Sequence, residues 1–344
     1  MSLKRVADEL GLSPTTVSRA LNGYPEVAEA TRLRVEAAAA RLNYKPHPSA
    51  RRLALGRTDA VGIVFPITPS DLGDFHFLTV AAAMVDRFAQ GGIDLVIISA
   101  SAHDELDAYQ RAIDGRRVDA FVVPRTRVHD ARLELLSARG VPFVAYGRTE
   151  SAIEPHAWLD YDNEAGTRLA TERLLALGHK RIGYLGAPAE YNFAALRYAG
   201  FSKALAHGGV RLPKACALRA PMNRRSGYDA MMQLLALPQR PTAVLVDNHL
   251  AGVGAVHAVL NAGLRLGEEL SLIVYDGVGE DSVIRTAITS VSQPTAAGTG
   301  TSLAEMMLAL LGGAPPASLQ RLCDPVLEIG TSDGPPTKPA VFDT

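Results

Sequence analysis

Residues 3–21 read LKRVADELGLSPTTVSRAL, and this stretch decides how the chain begins to fold. Leu3, Val6, Ala7 and Leu10 recur at helical spacing and share one face. Gly11 follows, the residue type with which helices turn through left-handed backbone at their C-termini. Ser13-Pro14 then restarts a helix, with Ser as N-cap and Pro at the first helical position. The pattern predicts a second helix over 14–21, turning Val17, Ala20 and Leu21 inward. A third helix is predicted over 29–42, with Leu33, Val35, Ala38, Ala39 and Leu42 as its apolar set. Two short helices joined by a tight Gly-containing turn form a helix-turn-helix pattern.

The second helix carries groups that read DNA. Pro14, Thr15, Thr16, Ser18 and Arg19 occupy its exposed turns. A recognition helix enters the major groove N-terminus first, so these side chains reach base edges. Arg19 suits a bidentate bond to guanine, and Thr15 suits the thymine methyl. The same pattern also fits a small helical bundle that docks another protein and leaves Arg19 in solvent.

Residues 41–57 read RLNYKPHPSARRLALGR. Pro46 and Pro48 interrupt any helix, after which SARRLALG has room for two turns ending at Gly56. Arg51, Arg52 and Arg57 surround Leu53. A short basic helix with one protruding leucine suits insertion into a minor groove, where an apolar wedge unstacks a base step. An interdomain linker with that leucine packed on the body fits as well.

Charge agrees with a polyanion-binding head. The chain has 35 Lys/Arg and 36 Asp/Glu, a net charge of −1. Residues 1–57 hold ten of the basic and five of the acidic residues, which makes them +5 and leaves −6 for the rest. With 344 residues, 47% hydrophobic and 21% charged, the chain reads as a soluble globular protein of two or three domains. No apolar run reaches the roughly 18 residues of a membrane span. MSLKRVADELGLS has no apolar core of a secretory signal, so a cytoplasmic location is expected. Cys216 and Cys323 are the only cysteines and form no CxxC, which argues against a disulfide framework or a structural zinc.

On these residues the sequence resembles the lactose/galactose repressor (LacI/GalR) family. TTVSRALNG, NYKP and ARRLA carry the likeness, which extends to about residue 330. The resemblance implies that Pro14, Thr15 and Arg19 read bases. It implies phosphate contacts from Ser2, Thr16, Ser18, Asn22 and Tyr44, and a minor-groove wedge at Leu53 beside Arg51. Two positions depart from the family: Arg5 stands where an acid is common, and Ala28 where a Ser or Thr often caps the third helix.

From residue 60 the pattern alternates. Apolar β-rich runs at 60–65, 94–98, 119–123, 141–146, 181–185, 243–246 and 271–275 are separated by helical patterns such as 78–90, 105–114, 164–177, 250–262 and 300–311. This alternation gives parallel, doubly wound sheets. The strands are too many for one lobe, and WLDYDNEAG at 158–166 reads as a crossover between two. The resemblance implies the two-lobed architecture of periplasmic sugar-binding proteins, with return crossovers near 289–294 and 322–326. The expected organisation is a helix-turn-helix domain at 1–45, a hinge at 46–57 and a core at 58–344. Within the core, the N-lobe takes about 58–159 plus 291–322 and the C-lobe about 160–290 plus 323–335.

Ligands of open α/β sheets sit beyond the carboxyl ends of the strands. There the sequence places Phe65-Pro66, Ser99, Pro124-Arg125, Tyr146-Gly147-Arg148, Asp247-Asn248 and Tyr275-Asp276. DFHF at 74–77 and NFAALR at 192–197 join them. Planar polar side chains take paired sugar hydroxyls, and aromatic rings cover the apolar sugar face. Arg197 and Asp276 lead the candidates, and the resemblance assigns them effector contacts. Asn248, Phe77, His76, Arg148 and Arg125 follow. Each has a plainer role open to it: Phe77 in the core, His76 at the surface, Arg148 paired with a neighbouring carboxylate, Trp158 packed at the crossover. His249 and Gly277 replace acids common in the family, which shifts the pocket toward neutrality.

No GxxxxGK[ST] loop, GxSxG elbow or HExxH is read in the sequence. GVGAVH at 252–257 lacks the third glycine of a dinucleotide fingerprint. The reading is therefore a dimeric repressor rather than an enzyme, with no metal or cofactor. Its partners are operator double-stranded DNA and a small effector, a sugar or glycoside inducer by preference. The head and DFHF are similar to a branch of the family tied to α-glucoside use. A purine corepressor and a solute-binding transport protein are the competing readings. The absence of leucine heptads after residue 325 favours a dimer over a tail-mediated tetramer, and the tail GPPTKPAVFDT reads as loose.

Overall fold

The computed structural model describes residues 2–44, 57–66, 74–101, 104–279, 284–293 and 295–337. The expected hinge helix with Arg51 and Leu53 lies outside the described residues. Two compact units emerge, one of Met1–Asp59 with Arg116–Asp119 and one of Ala60–Gly115 with Ala120–Thr344, the α/β body.

The head is three helices, α1 (Leu3–Leu10), α2 (Pro14–Leu21) and α3 (Glu29–Arg41). Gly11 ends α1 at φ 66°, its amide bonded back to Ala7 and Asp8 carbonyls. Ser13 caps α2 by accepting from the Thr16 amide at 3.1 Å. Val6, Ala7, Val17, Ala20, Val27, Val35 and Ala38 form the core of this unit. Leu33 departs from expectation and is 59% exposed. It lies two residues from buried Val35, about 200° around the helix.

The body holds two six-stranded sheets. The first comprises β1 (Ala60–Pro66), β2 (Asp94–Ala100), β3 (Ala120–Val123), β4 (Phe143–Tyr146), β5 (Ala157–Tyr161) and β11 (Gln320–Cys323). Its order is β11-β5-β4-β3-β1-β2, and all pairs are parallel. The second comprises β6 (Ile182–Gly186), β7 (Ala217–Arg219), β8 (Ala243–Val246), β9 (Ser271–Tyr275), β10 (Thr289–Ser292) and β12 (Val326–Glu328). Its order is β12-β10-β9-β8-β6-β7, parallel except for the antiparallel β10–β12 pair.

Helices cover both faces of each sheet, which is why the central strands read as unbroken apolar runs. In the first lobe, Val80, Met84 and Phe88 of helix Phe75–Ala89 pack with Leu303, Met306 and Met307 of helix Ala296–Leu311. In the second, helices Arg224–Leu235 and His249–Asn261 cover one face, and Asn163–Ala176 with Asn192–His207 cover the other. The glycines of GVGAVH serve this packing. A Cβ on Gly254 would lie 1.9 Å from the Arg224 carbonyl oxygen of the neighbouring helix.

The chain crosses between lobes three times, after Tyr161, after Ser292 and after Cys323. The segments read as crossovers thus contain strands. Residues 157–161 pair with β4 and β11, 289–292 with β9, and 320–323 with β5, so the sheets run one or two residues beyond the expected lobe limits. The start of the tail is tied down. Gly334 O accepts from His179 Nε2 at 2.8 Å and from Ser271 Oγ at 2.8 Å, and Thr337 Oγ1 bonds Glu268 O. GTSDG at 330–334 has the spacing of a nucleophile motif, but Ser332 is fully buried and bonded to Leu272 O and Thr289 N. It follows the last strand instead of joining a strand to a helix.

Candidate functional site

In the head, Ser2, Pro14, Thr15 and Arg19 are exposed, and Thr16, Ser18, Asn22 and Tyr44 are half-buried. Thr16 Oγ1 lies 2.8 Å from Ser13 Oγ. Asn22 Nδ2 donates to Ser18 Oγ at 3.4 Å, while its Oδ1 is buried without a protein partner. Leu3, Pro14, Thr15, Ser18, Arg19 and Tyr24 line a shallow depression beside α2.

In the body, one cleft runs between the lobes at the carboxyl ends of the strands, with about 860 Å³ of empty space including its open mouth. His76, Phe77, Arg125, Arg197, Asn248 and Asp276 line it. Arg148 does not. Its Nε donates to Asp160 Oδ2 at 2.8 Å, and its guanidinium lies 5.8 Å from the Trp158 ring.

Arg197 is the most constrained group. Helix Asn192–His207 delivers it into the cleft floor at 5% exposure. Nε donates to Asn163 Oδ1 at 2.8 Å, Nη1 to the Asp247 carbonyl, and Nη2 lies 3.7 Å from Asp276 Oδ2. Its guanidinium is 3.4 Å from the Tyr275 ring centre and 4.8 Å from that of Phe193. Burial opposes its charge, but Tyr275, Asp276 and Asp247 outweigh that and raise its pKa. The separation from Asp276 exceeds a hydrogen bond, so both groups keep capacity for a ligand. Asp276 and Arg125 hold left-handed backbone, φ 64° and 50°, a strained state that concentrates at functional sites.

Asn248 is largely committed to the fold. Its Oδ1 caps helix His249–Asn261 through the Ala251 amide at 2.9 Å, and its Nδ2 donates to Asp247 Oδ1 at 2.8 Å. Asp247 is fully buried, and burial pushes its carboxyl up despite Arg197, Asn248, Ala187 and Tyr184. Phe65 and Phe77 stack at 4.1 Å, and Arg125 lies over Phe65.

Asp74, part of DFHF, is the opposite wall's central acid. Its Oδ1 accepts from the Phe77 amide at 3.1 Å and lies 3.0 Å from His249 Nε2, and its Oδ2 pairs with Arg125 at 3.2 Å. His76 stands 5.6 Å from His249, ring to ring, and burial lowers its pKa against the pull of Asp276 and Asp74. Behind the cleft the lobes share backbone bonds, Val128 N to Glu190 O and Asn192 N to Thr126 O, both 2.9 Å.

Sequence reasoning missed Asn163, Met222 and Gln293 as lining residues, and Asp160 as the acid that draws Arg148 away. Asp160, Asn163 and Gln293 sit at crossovers, where only the return of distant chain brings them to the cleft. Among the described residues, no group of three His, Cys, Asp or Glu could hold a metal, and no helix is long and apolar enough to cross a membrane.

Comparison with known proteins agrees with both units. Residues 2–47 match the family described as bacterial regulatory proteins, lacI family. Residues 58–323 match the periplasmic binding proteins and sugar binding domain of the LacI family. The chain is 40% identical to the HTH-type transcriptional regulator RafR of Escherichia coli, over 96% of this chain and 98% of that one. A lac repressor dimer bound to operator and the anti-inducer ONPF superposes with TM-score 0.78 at 27% identity, covering 97% and 99% of the two chains. The regulator CelR in complex with cellobiose gives 0.73 at 25% identity, covering 96% and 99%.

A helix-turn-helix head on a two-lobed binding body defines a DNA-binding transcriptional regulator that answers to a small molecule. The chain belongs to the LacI family of bacterial regulatory proteins.

Proposed function

We propose that this chain is a homodimeric, operator-binding repressor controlled by an uncharged sugar or glycoside in the interlobe cleft. The observation that carries the ligand class is charge balance. Asp74, Asp160 and Asp276 line the cleft, and each has a guanidinium within 3.7 Å: Arg125 and Arg197 from the lining itself, and Arg148, outside it, on Asp160. A phosphate or carboxylate finds no surplus charge there. Hydroxyl pairs find Arg197 and Asp276, with aromatic faces at Phe193 and Phe77. Phe65 and Phe77 stack on each other, which leaves no slot between them for a purine.

In this reading Pro14, Thr15 and Arg19 address base edges, while Ser2, Thr16, Ser18, Asn22 and Tyr44 address phosphates. Arg51 and Leu53 work at the minor groove. The protein acts in the cytoplasm, beside its operator, and is not an enzyme. A second copy is supported by apolar surface. Phe75 (61% exposed), Leu78 (44%) and Val85 (46%) lie along one helix, and Ile97 (47%) lies on edge strand β2. Effector closes the lobes and resets that interface, and the hinge transmits the change to the heads. Such coupling is reciprocal: operator must weaken effector binding by the factor with which effector weakens operator binding.

The test is thermal melting across monosaccharides, disaccharides and purines, since a ligand of the native state raises the melting point. A rise with a neutral sugar, lost in Arg197→Ala and Asp276→Ala, supports the reading. A rise with a nucleobase alone overturns the ligand class.

A further inference from the structure

We infer that Glu26 is a further base-reading residue of the head, taking the amino group of the cytosine whose guanine partner Arg19 takes. The inference rests on the reading that α2 enters the major groove. It starts from one contact: Arg19 Nη1 lies 3.6 Å from Glu26 Oε1, with both side chains about half exposed, at 52% and 49%.

The fold brings Glu26 there by a pinned loop. Gly23, at φ 74°, returns its amide to Ala20 O at 3.2 Å, and the Tyr24 amide reaches Arg19 O at 3.1 Å. Arg32 Nη2 donates to Tyr24 O at 3.1 Å, and the Val27 amide bonds the same carbonyl at 3.2 Å. Val27 is buried in the head's core. The backbone on both sides of Glu26 is therefore fixed, and its carboxylate is held beside the last turn of α2.

An acid on a DNA-facing surface is repelled by phosphate, so it needs a base donor to offset that. In the major groove a G·C pair presents two acceptors, guanine O6 and N7, followed by the cytosine N4 donor. Arg19 and Glu26 present the complement, a two-donor fork followed by an acceptor. An A·T pair offers only one acceptor on adenine, and its thymine O4 would face the carboxylate. The couple therefore selects G·C and rejects A·T at one position. The exposed ion pair is weak in solution, so it orients the Arg19 fork without locking it away from DNA.

Selection of half-sites from a randomised library tests this in the full-length dimer, with wild type, Glu26→Gln, Glu26→Ala and Arg19→Ala. Wild type should enrich one G·C position. Both Glu26 variants should lose about tenfold discrimination at that position alone, and Glu26→Ala should bind random DNA more tightly than wild type. An unchanged preference in the Glu26 variants, with Arg19→Ala altered, overturns the role of Glu26 and spares that of Arg19. A uniform loss over all sequences in the Glu26 variants also overturns it. If Arg19→Ala too keeps the wild-type preference, the assignment of α2 itself falls. Unaltered far-UV circular dichroism confirms that each variant folds.

Discussion

His249 and Asp74 bridge the two lobes, with His249 Nε2 3.0 Å from Asp74 Oδ1. Burial alone would raise the Asp74 carboxyl. The hydrogen bond and charge of His249, the Phe77 amide and Arg125 reverse that and hold it well below the usual carboxylate range. The bridge therefore joins an ionised acid of the first lobe to the first residue of a helix in the second.

Asp74→Asn keeps a helix cap of equal quality and removes the charge. It should weaken effector binding about tenfold, and His249→Ala should do the same, with a coupling energy of roughly 0.5–3 kcal/mol in the double-mutant cycle. Calorimetric titration of the four proteins measures it. Strictly additive effects would show that the bridge does not act in closure.

Arg197→Met should abolish the sugar-induced rise in melting point while the head still binds DNA. It should also cost stability, on the order of 3 kcal/mol, as expected when one partner leaves a buried ionic cluster. Asp276→Asn, at a less buried group, should cost less stability and lose the ligand response equally. Urea melts with and without sugar separate the two effects.

Val85→Asp and Ile97→Asp place a charge on the exposed apolar surface proposed as the dimer contact. Each should shift the protein to monomer in analytical ultracentrifugation with unchanged circular dichroism. Operator affinity should fall at least a hundredfold, because one head then reads one half-site. A dimer that survives both substitutions places the interface elsewhere.

His179 gives the stability a pH dependence. It is buried at 1% exposure and bonded to Thr242 Oγ1 at 2.9 Å, and burial lowers its pKa despite Gly334 O and Asp333. The unfolded chain binds this proton near pH 6.5 and the folded chain only below that. The neutral ring's contribution is complete above about pH 6.5 and shrinks as pH falls toward the folded pKa. Melting points should decline between pH 7 and 5, and the decline should be shallower in His179→Gln.

Ala28→Ser supplies a missing cap. Ala28 is exposed at the N-cap of α3 with extended backbone, φ −54° and ψ 138°, and offers the helix no side-chain acceptor. The substitution should stabilise the head by about 1 kcal/mol, seen as slower amide exchange in α3.

The head was legible nearly to the residue, because its boundaries depend on local chemistry at Gly11, Ser13 and Pro14. Leu33 misled because hydrophobicity outweighed angular position in the reading. The long strands were legible as apolar runs. AWLDY at 157–161 was not, since Asp160 interrupts it, and β7, β10, β11 and β12 mix polar with apolar residues and make no apolar run. In the cleft, strand ends pointed to Arg125, Asn248 and Asp276. Arg148 looked equivalent until Asp160, twelve residues on, drew its side chain aside. That competition between partners depends on tertiary placement, which spacing does not carry.

The three crossovers impose an order on synthesis. Among the described strands β11 and β12 are translated last, yet one closes the edge of each sheet. The first lobe cannot complete its sheet until residue 323 has left the ribosome, nor the second until residue 328, whereas the head needs only the first 44. A nascent chain thus carries a finished DNA-reading unit long before it has a working receptor. Premature termination would leave a protein that touches DNA and answers to nothing.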